Sequence, residues 1–296
     1  MRFATFETGE IEINYASCGS PEHPLVICLH GFPEYWAAWS AVMLALASSY
    51  HLVAPDQRGY NLSSKPEDVD AYRVGKLVGD LAALADHLSP DRPFVLAGHD
   101  WGASVAYAYC FEHPERLTHL VVANGVHPVP FQQAILHNAE QRLASQYINR
   151  LRTLDAGSRL SSDGFRLLFE LVSEFSDTGW MRNAQRSAYR EAWERPGAIE
   201  AMLNWYRASP LAVPRPGEAI ANAPILDLPA EALKVPCPHL VLWGEEDKAL
   251  LPACLAGLEG FSSDLTIRRL AGCGHWLLHE KPAEMAAEIT EFLTHG

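Results

Sequence analysis

Short, almost wholly apolar runs recur along this chain, and each ends in glycine or a polar turn. They are PLVICLHGF (24–32), HLVAPDQRGY (51–60), FVLAGHD (94–100), LTHLVVANG (117–125), PHLVLWGEED (238–247) and LTIRRLAG (265–272). Runs of that length read as strands, and the continuously apolar ones among them as strands buried on both sides. Between them lie segments with helical spacing: WAAWSAVMLALASS, VGKLVGDLAALADHL (74–88) and WGASVAYAYCFEHP (101–114), with KPAEMAAEITEFLTHG closing the chain. A strand buried on both faces needs cover on both faces, so the alternation predicts an α/β fold: a mostly parallel sheet between helical layers.

The alternation breaks once. From 131 to 213 only helical patterns occur, rich in Arg, Glu, Leu and Ser. RASPLAVPRPGEAIANAP (207–224) then reads as a proline-rich exit. The expected organisation is a core from 1–130, a helical insert at 131–213 and the rest of the core at 214–296. With 296 residues, 48% of them hydrophobic, the chain can bury one such core and a lid.

Charge and cysteine usage narrow the partners. A net charge of −13 argues against nucleic acid and anionic membranes, which favour basic surfaces. The start, MRFATFETGEIEINY, has no apolar run behind a basic region, so no signal peptide is expected, and no run is long enough to span a membrane. Cys18, Cys28, Cys110, Cys237, Cys254 and Cys273 form no C-x-x-C pair and read as reduced thiols of a cytoplasmic protein. No His/Cys spacing suits a metal, so neither metal nor organic cofactor is expected. A homodimer stays open.

The chemistry centres on GHDWGA. A strand, then Asp100, then a helix form a sharp elbow that demands small flanking residues, met by Gly98 and Gly102. Such a turn lifts its central side chain off the carboxyl end of the sheet, where open α/β sheets bind ligands. His275, in GCGHWLLHEKP, follows the last strand. Asp247, in LVLWGEEDK, ends the strand before it, with Glu245 and Glu246 as neighbouring candidates for the acid. HGFP (30–33) can aim the Phe32 N–H at the same cleft as the Trp101 N–H, a pair suited to an oxyanion.

HGFPEYW, DQRGY, GHDWGA, WGEEDK and GCGHW, in this order, resemble the α/β-hydrolase superfamily over nearly the whole chain. The insert corresponds to its cap. An aspartate at the elbow is similar to the branches with a carboxylate nucleophile: epoxide hydrolases, haloalkane dehalogenases and fluoroacetate dehalogenases. A carboxylate is already ionised at neutral pH. It gains little by attacking an ester, but it can displace a leaving group at saturated carbon and become an ester itself. His275, oriented by Asp247, would then activate the water that hydrolyses the ester.

The insert bears on the leaving group. AMLNWYRAS (201–209) resembles the epoxide hydrolase cap segment that carries a ring-opening tyrosine, which implies Tyr206. RLASQYINRL (142–151) places Tyr147 like its partner, with Tyr189 in reserve. Trp36 and Trp205 are expected in the substrate pocket. Asp56 and Arg58 are expected to brace their loop, and His30 and His99 to support the active turns.

The resemblance therefore implies an epoxide hydrolase acting on an uncharged epoxide and water. The alternative is a haloalkane dehalogenase: Trp101 suits a halide, and Trp180, Trp193 or Trp205 could supply a second N–H. Phe32 stands where many of those enzymes have Asn. Trp101 stands where fluoroacetate dehalogenases carry Arg, which disfavours that branch. A purely binding role does not explain the intact set of Asp100, His275 and Asp247. An esterase is disfavoured because Ser104 lies a turn inside the helix.

Overall fold

The computed structural model describes residues 1–219 and 222–295. In chain order the strands are β1 (Arg2–Glu7), β2 (Glu12–Cys18), β3 (Leu25–Leu29), β4 (His51–Pro55), β5 (Phe94–His99), β6 (Leu117–Ala123), β7 (His239–Gly244) and β8 (Leu265–Leu270). They form one sheet in the order β1-β2-β4-β3-β5-β6-β7-β8. From β4 to β8 neighbours run parallel, whereas β1 pairs β2 and β2 pairs β4 antiparallel. The result is a mostly parallel sheet between helical layers, as expected. The two leading strands extend it beyond the six runs read above.

Alternation along each strand sends side chains to two separate cores. Ile27 and Leu29 of β3, Leu96 of β5 and Val122 of β6 join one apolar cluster. Val26, Cys28, Val95, Ala97, Val121 and Ala123 join the other. Helices α1 (Ser40–Leu46), α11 (Leu277–Glu280) and α12 (Pro282–His295) cover the second face, and α2 (Val74–Leu88) and α3 (Trp101–Glu112) the first.

Among the described residues, seven helices stand between β6 and β7: α4 (Pro128–His137), α5 (Ala139–Ala144), α6 (Gln146–Leu151), α7 (Ala156–Ser161), α8 (Arg166–Phe175), α9 (Asn183–Glu194) and α10 (Ala198–Ala208). They begin three residues before the expected 131. Their buried side chains, among them Ile148, Leu168, Phe175 and Leu203, belong to the same cluster as Ile27 and Leu96. The insert thus shares one continuous core with the sheet face below it. No helix among the described residues is long and apolar enough to cross a membrane.

Candidate active site

The turns that follow β3, β5, β7 and β8 converge at the carboxyl edge of the sheet. Asp100 caps β5 with φ 50 and ψ −120, a conformation that side chains other than glycine rarely adopt. Such strain is of order 1–3 kcal/mol and persists only where surrounding structure enforces it. Close packing enforces it here. A Cβ on Gly102 would collide with the Leu29 and His30 carbonyls, and one on Gly31 with the Asp100 carboxylate.

Asp100 Oδ1 accepts a hydrogen bond from the Phe32 N–H at 2.8 Å. Oδ2 faces His275 Nε2 at 3.6 Å, close enough for an ion pair but longer than a hydrogen bond. The Trp101 amide heads α3, where the leading N–H groups have no partner within the helix.

His275 Nδ1 meets Asp247 Oδ2 at 2.8 Å. Asp247 is buried, while Glu245 and Glu246 are exposed, so only Asp247 reaches the ring. Its Oδ1 accepts the Ala249 and Leu250 amides at 2.8 and 2.9 Å, and its Oδ2 also accepts the Asn124 side-chain amide at 2.6 Å. Burial opposes a charge on His275, but the Asp247 and Asp100 carboxylates outweigh it and hold the ring raised to about 10. Loss of the Asp100 charge would remove one of the two groups that retain this proton.

Two residues of this site carried no expectation. Asn124, with a positive φ, bridges Asp247 to the Gly244 N–H, which its Oδ1 accepts at 2.6 Å. Glu34, in HGFPEYW, is buried. One of its oxygens meets His99 Nδ1 at 2.9 Å; the other meets His279 Nε2 at 2.7 Å and accepts the Tyr189 hydroxyl at 2.9 Å. Burial alone would favour the neutral acid, yet hydrogen bonds from His279 and His99 hold Glu34 well below the usual carboxylate range. His99 Nε2 in turn bonds the His275 backbone carbonyl at 2.9 Å. A hydrogen-bonding residue after HGFP, with histidines beside both active turns, was the available signal.

A cavity of about 420 Å³ opens above Asp100. Trp101, Trp205, Tyr147 and Tyr206 line it together with Asp100. The two tyrosine rings lie 6.2 Å apart at 81°. Tyr206 packs edge-on against Phe32 and Trp101, each at 5.1 Å. Burial pushes both phenols well above their usual range. The Asp100 charge adds to this, so both are neutral donors at any ordinary pH.

The remaining expected residues fall elsewhere. Trp36 does not line the cavity. The chain turns after Glu34, so its ring packs edge-on against Phe3 at 5.1 Å, and its amide donates to Asp56. Tyr189 is engaged with Glu34 and His279. The indole N–H of Trp193 donates to Pro33 O and that of Trp205 to Arg58 O, while Trp180 stacks on His279 at 3.8 Å. The Trp180 indole N–H is buried without a partner among the described residues, but Trp180 does not line the cavity that holds Asp100. His30 receives the Gln57 amide, Asp56 collects four donors, and Arg58 forms a buried ion pair with Asp80 at 2.7 Å. All six cysteines are free and buried.

Comparison with known proteins gives the family and the fold. The family model described as alpha/beta hydrolase fold matches residues 24–282. The chain is 33% identical to the AB hydrolase superfamily protein YfhM of Bacillus subtilis, over 97% of this chain and 96% of that one. It is 31% identical to epoxide hydrolase A of Mycobacterium tuberculosis, again over 97% and 96%. Among solved structures, an epoxide hydrolase from hot-environment metagenomes superposes with a TM-score of 0.88 at 32% identity, covering 100% of this chain and 99% of that one. The Bacillus megaterium epoxide hydrolase bound to an inhibitor gives 0.85 at 27% identity, covering 98% and 100%.

Proposed function

The chain belongs to the α/β-hydrolase family, in its epoxide hydrolase branch, and from that premise we propose that it opens an uncharged epoxide to a vicinal diol through a covalent ester on Asp100. The observation that carries the reading is that two neutral phenols, Tyr147 and Tyr206, line the same cavity as the carboxylate. A strained ring needs that pairing: a nucleophile on one side and a proton donor on the other.

The steps balance as follows. Asp100 Oδ1 is occupied by Phe32, so Oδ2 attacks the epoxide carbon. The ring C–O bond breaks, and its electron pair goes to the ring oxygen, which takes a proton from Tyr206 or Tyr147. Alkylation removes the Asp100 charge and weakens His275's hold on its proton, which returns to the phenolate. The neutral ring then takes a proton from water, and the hydroxide attacks the Asp100 carbonyl carbon. Charge collects on Oδ1, against the Phe32 and Trp101 amides. Collapse expels the diol oxygen, which is protonated by His275. The acid left on Asp100 restores the proton to His275.

A departing halide would need indole donors; those of Trp193 and Trp205 are already committed to backbone carbonyls, and Trp180, whose N–H is unpaired among the described residues, does not line the cavity. This favours the epoxide over the haloalkane. The free, buried thiols fit the reducing cytoplasm. The test uses His275→Gln, which should stall at the ester. Incubation with aryl and alicyclic epoxides, followed by intact mass and peptide mapping, should add a whole epoxide to the Asp100 peptide. An alkyl adduct from haloalkanes alone would overturn the reading.

A further inference from the structure

The cavity is longer than the chemistry requires. Trp101, Ser104, Val105, Ala108, Phe111 and Glu112 all line it. Their spacing of three and four marks one stripe along the whole of α3. At about 1.5 Å per residue, that stripe leads about 17 Å away from Asp100. The wall opposite its outer half is apolar, formed by Phe131 of α4 together with Ile225 and Leu233. Ala108 and Phe111 are only half-buried, so packing leaves this apolar stripe partly uncovered toward the cavity. Val74 and Leu228, from separate segments of the chain, stand 48% and 50% exposed along the same cavity. Together they give an apolar trough with an apolar lip.

Charge along this trough has one sign. Among the described residues no Lys or Arg lines it, and its acids are Asp100 and Glu112, at the two ends of α3. Glu112 is exposed and forms no ion pair among the described residues. A carboxylate at the far end of a ligand would meet Glu112 with no cation to offset the repulsion.

Resting on the epoxide hydrolase reading, we propose that the arm along α3 holds the tail of an elongated, neutral epoxide, and that Glu112 is a specificity-determining residue that rejects tails ending in a carboxylate. The epoxide end sits at Asp100 beneath Tyr147 and Tyr206, and the tail replaces water along Ala108 and Phe111. Each methylene buried there strengthens binding about three- to fourfold.

Titration calorimetry with product-like diols tests this without requiring turnover. Decane-1,2-diol should bind wild type at least tenfold more tightly than hexane-1,2-diol. Methyl 9,10-dihydroxydecanoate should bind at least fivefold more tightly than the free acid. Glu112→Lys should bring that ester-to-acid ratio to one or below, and Ala108→Trp should weaken the decane diol far more than the hexane diol. Equal affinities for the two alkane diols, or an ester-to-acid ratio unmoved by Glu112→Lys, would overturn the proposal. Turnover of 1,2-epoxyhexane, measured in parallel, separates the two readings. If it is absent while the diol pattern holds, the epoxide chemistry falls and the trough assignment stands.

Discussion

Replacing Asn124 by alanine should separate the two chemical steps. Asn124 donates to Asp247 Oδ2 at 2.6 Å, the same oxygen that meets His275, and accepts the buried Gly244 N–H at 2.6 Å. Losing the first bond, to a charged acceptor, costs about 1.5–3 kcal/mol, and orphaning the Gly244 N–H about 1–3 kcal/mol. The fold should therefore lose roughly 3–5 kcal/mol, a drop in Tm of about 5–8 °C for a chain of this size. The catalytic effect is more selective. Asp247 keeps the Ala249 and Leu250 amides at Oδ1 but loses its support at the oxygen that steers His275. If about 1.5–3 kcal/mol of that steering is lost, hydrolysis of the ester slows about 10- to 100-fold. Alkylation, which needs Asp100 and the tyrosines but no base, should change less than about threefold. Single-turnover stopped-flow tryptophan fluorescence with styrene oxide resolves the two phases. Equal slowing of both would refute the assignment of Asn124 to the base. An unchanged hydrolysis rate in a destabilised protein would mean that the two amides hold Asp247 unaided.

Three further outcomes are expected. Tyr206→Phe, and to a lesser extent Tyr147→Phe, should slow the alkylation phase by about 100-fold and leave hydrolysis nearly intact; slowing of hydrolysis alone in the same traces would remove the proton-donor role. Asp247→Asn should abolish the second phase while Glu246→Gln leaves kcat within about twofold, because Glu246 is exposed and makes no contact with the His275 ring; the reverse ranking would unseat the triad as drawn. Stability should also fall on mild acidification. Burial pushes His30 and His127 down to about 4 and His239 to about 3, so these rings are neutral in the fold. The unfolded chain protonates them near pH 6.5, binds more protons than the native state between about 6.5 and 4, and gains over it as pH falls through that window. Asp56, raised to about 6 by burial, works in the opposite sense together with Asp80, also raised by burial, and His275, raised to about 10, while burial lowers His51 and His119 in the same sense as the three rings. Urea titrations at about pH 7 and about pH 4.5 should differ by several kcal/mol, and equal stabilities would refute the argument.

Much of the fold was legible because its signals are local. The helical pattern at 74–88 coincides with α2, and the apolar runs coincide with β3 to β8 to within a few residues. The two antiparallel strands at the start lack the continuous apolar run of the others: β1 is largely exposed, so RFATFE and EINYASC carry a weaker local signal. Trp36 misled by proximity. It lies four residues from Phe32 in HGFPEYW, but the short helical turn at Trp36–Trp39 carries it away from the cleft toward β1.

Sequence alone determined which residue types stand at the strand ends. A small-x-Asp-x-small elbow leaves little choice of backbone, and the late histidine and acid follow from chain order. Which acid meets the histidine was decided by tertiary structure, since Glu245, Glu246 and Asp247 differ only in the direction they take after β7. So were the places of Asn124 and Glu34, whose partners lie 123 and 245 residues away, at Asp247 and His279. The commitment of the Trp193 and Trp205 indoles to backbone carbonyls and the length of the trough along α3 were decided in the same way. Those features depend on which surfaces packing brings together and which polar groups it removes from water. Local spacing holds no record of either.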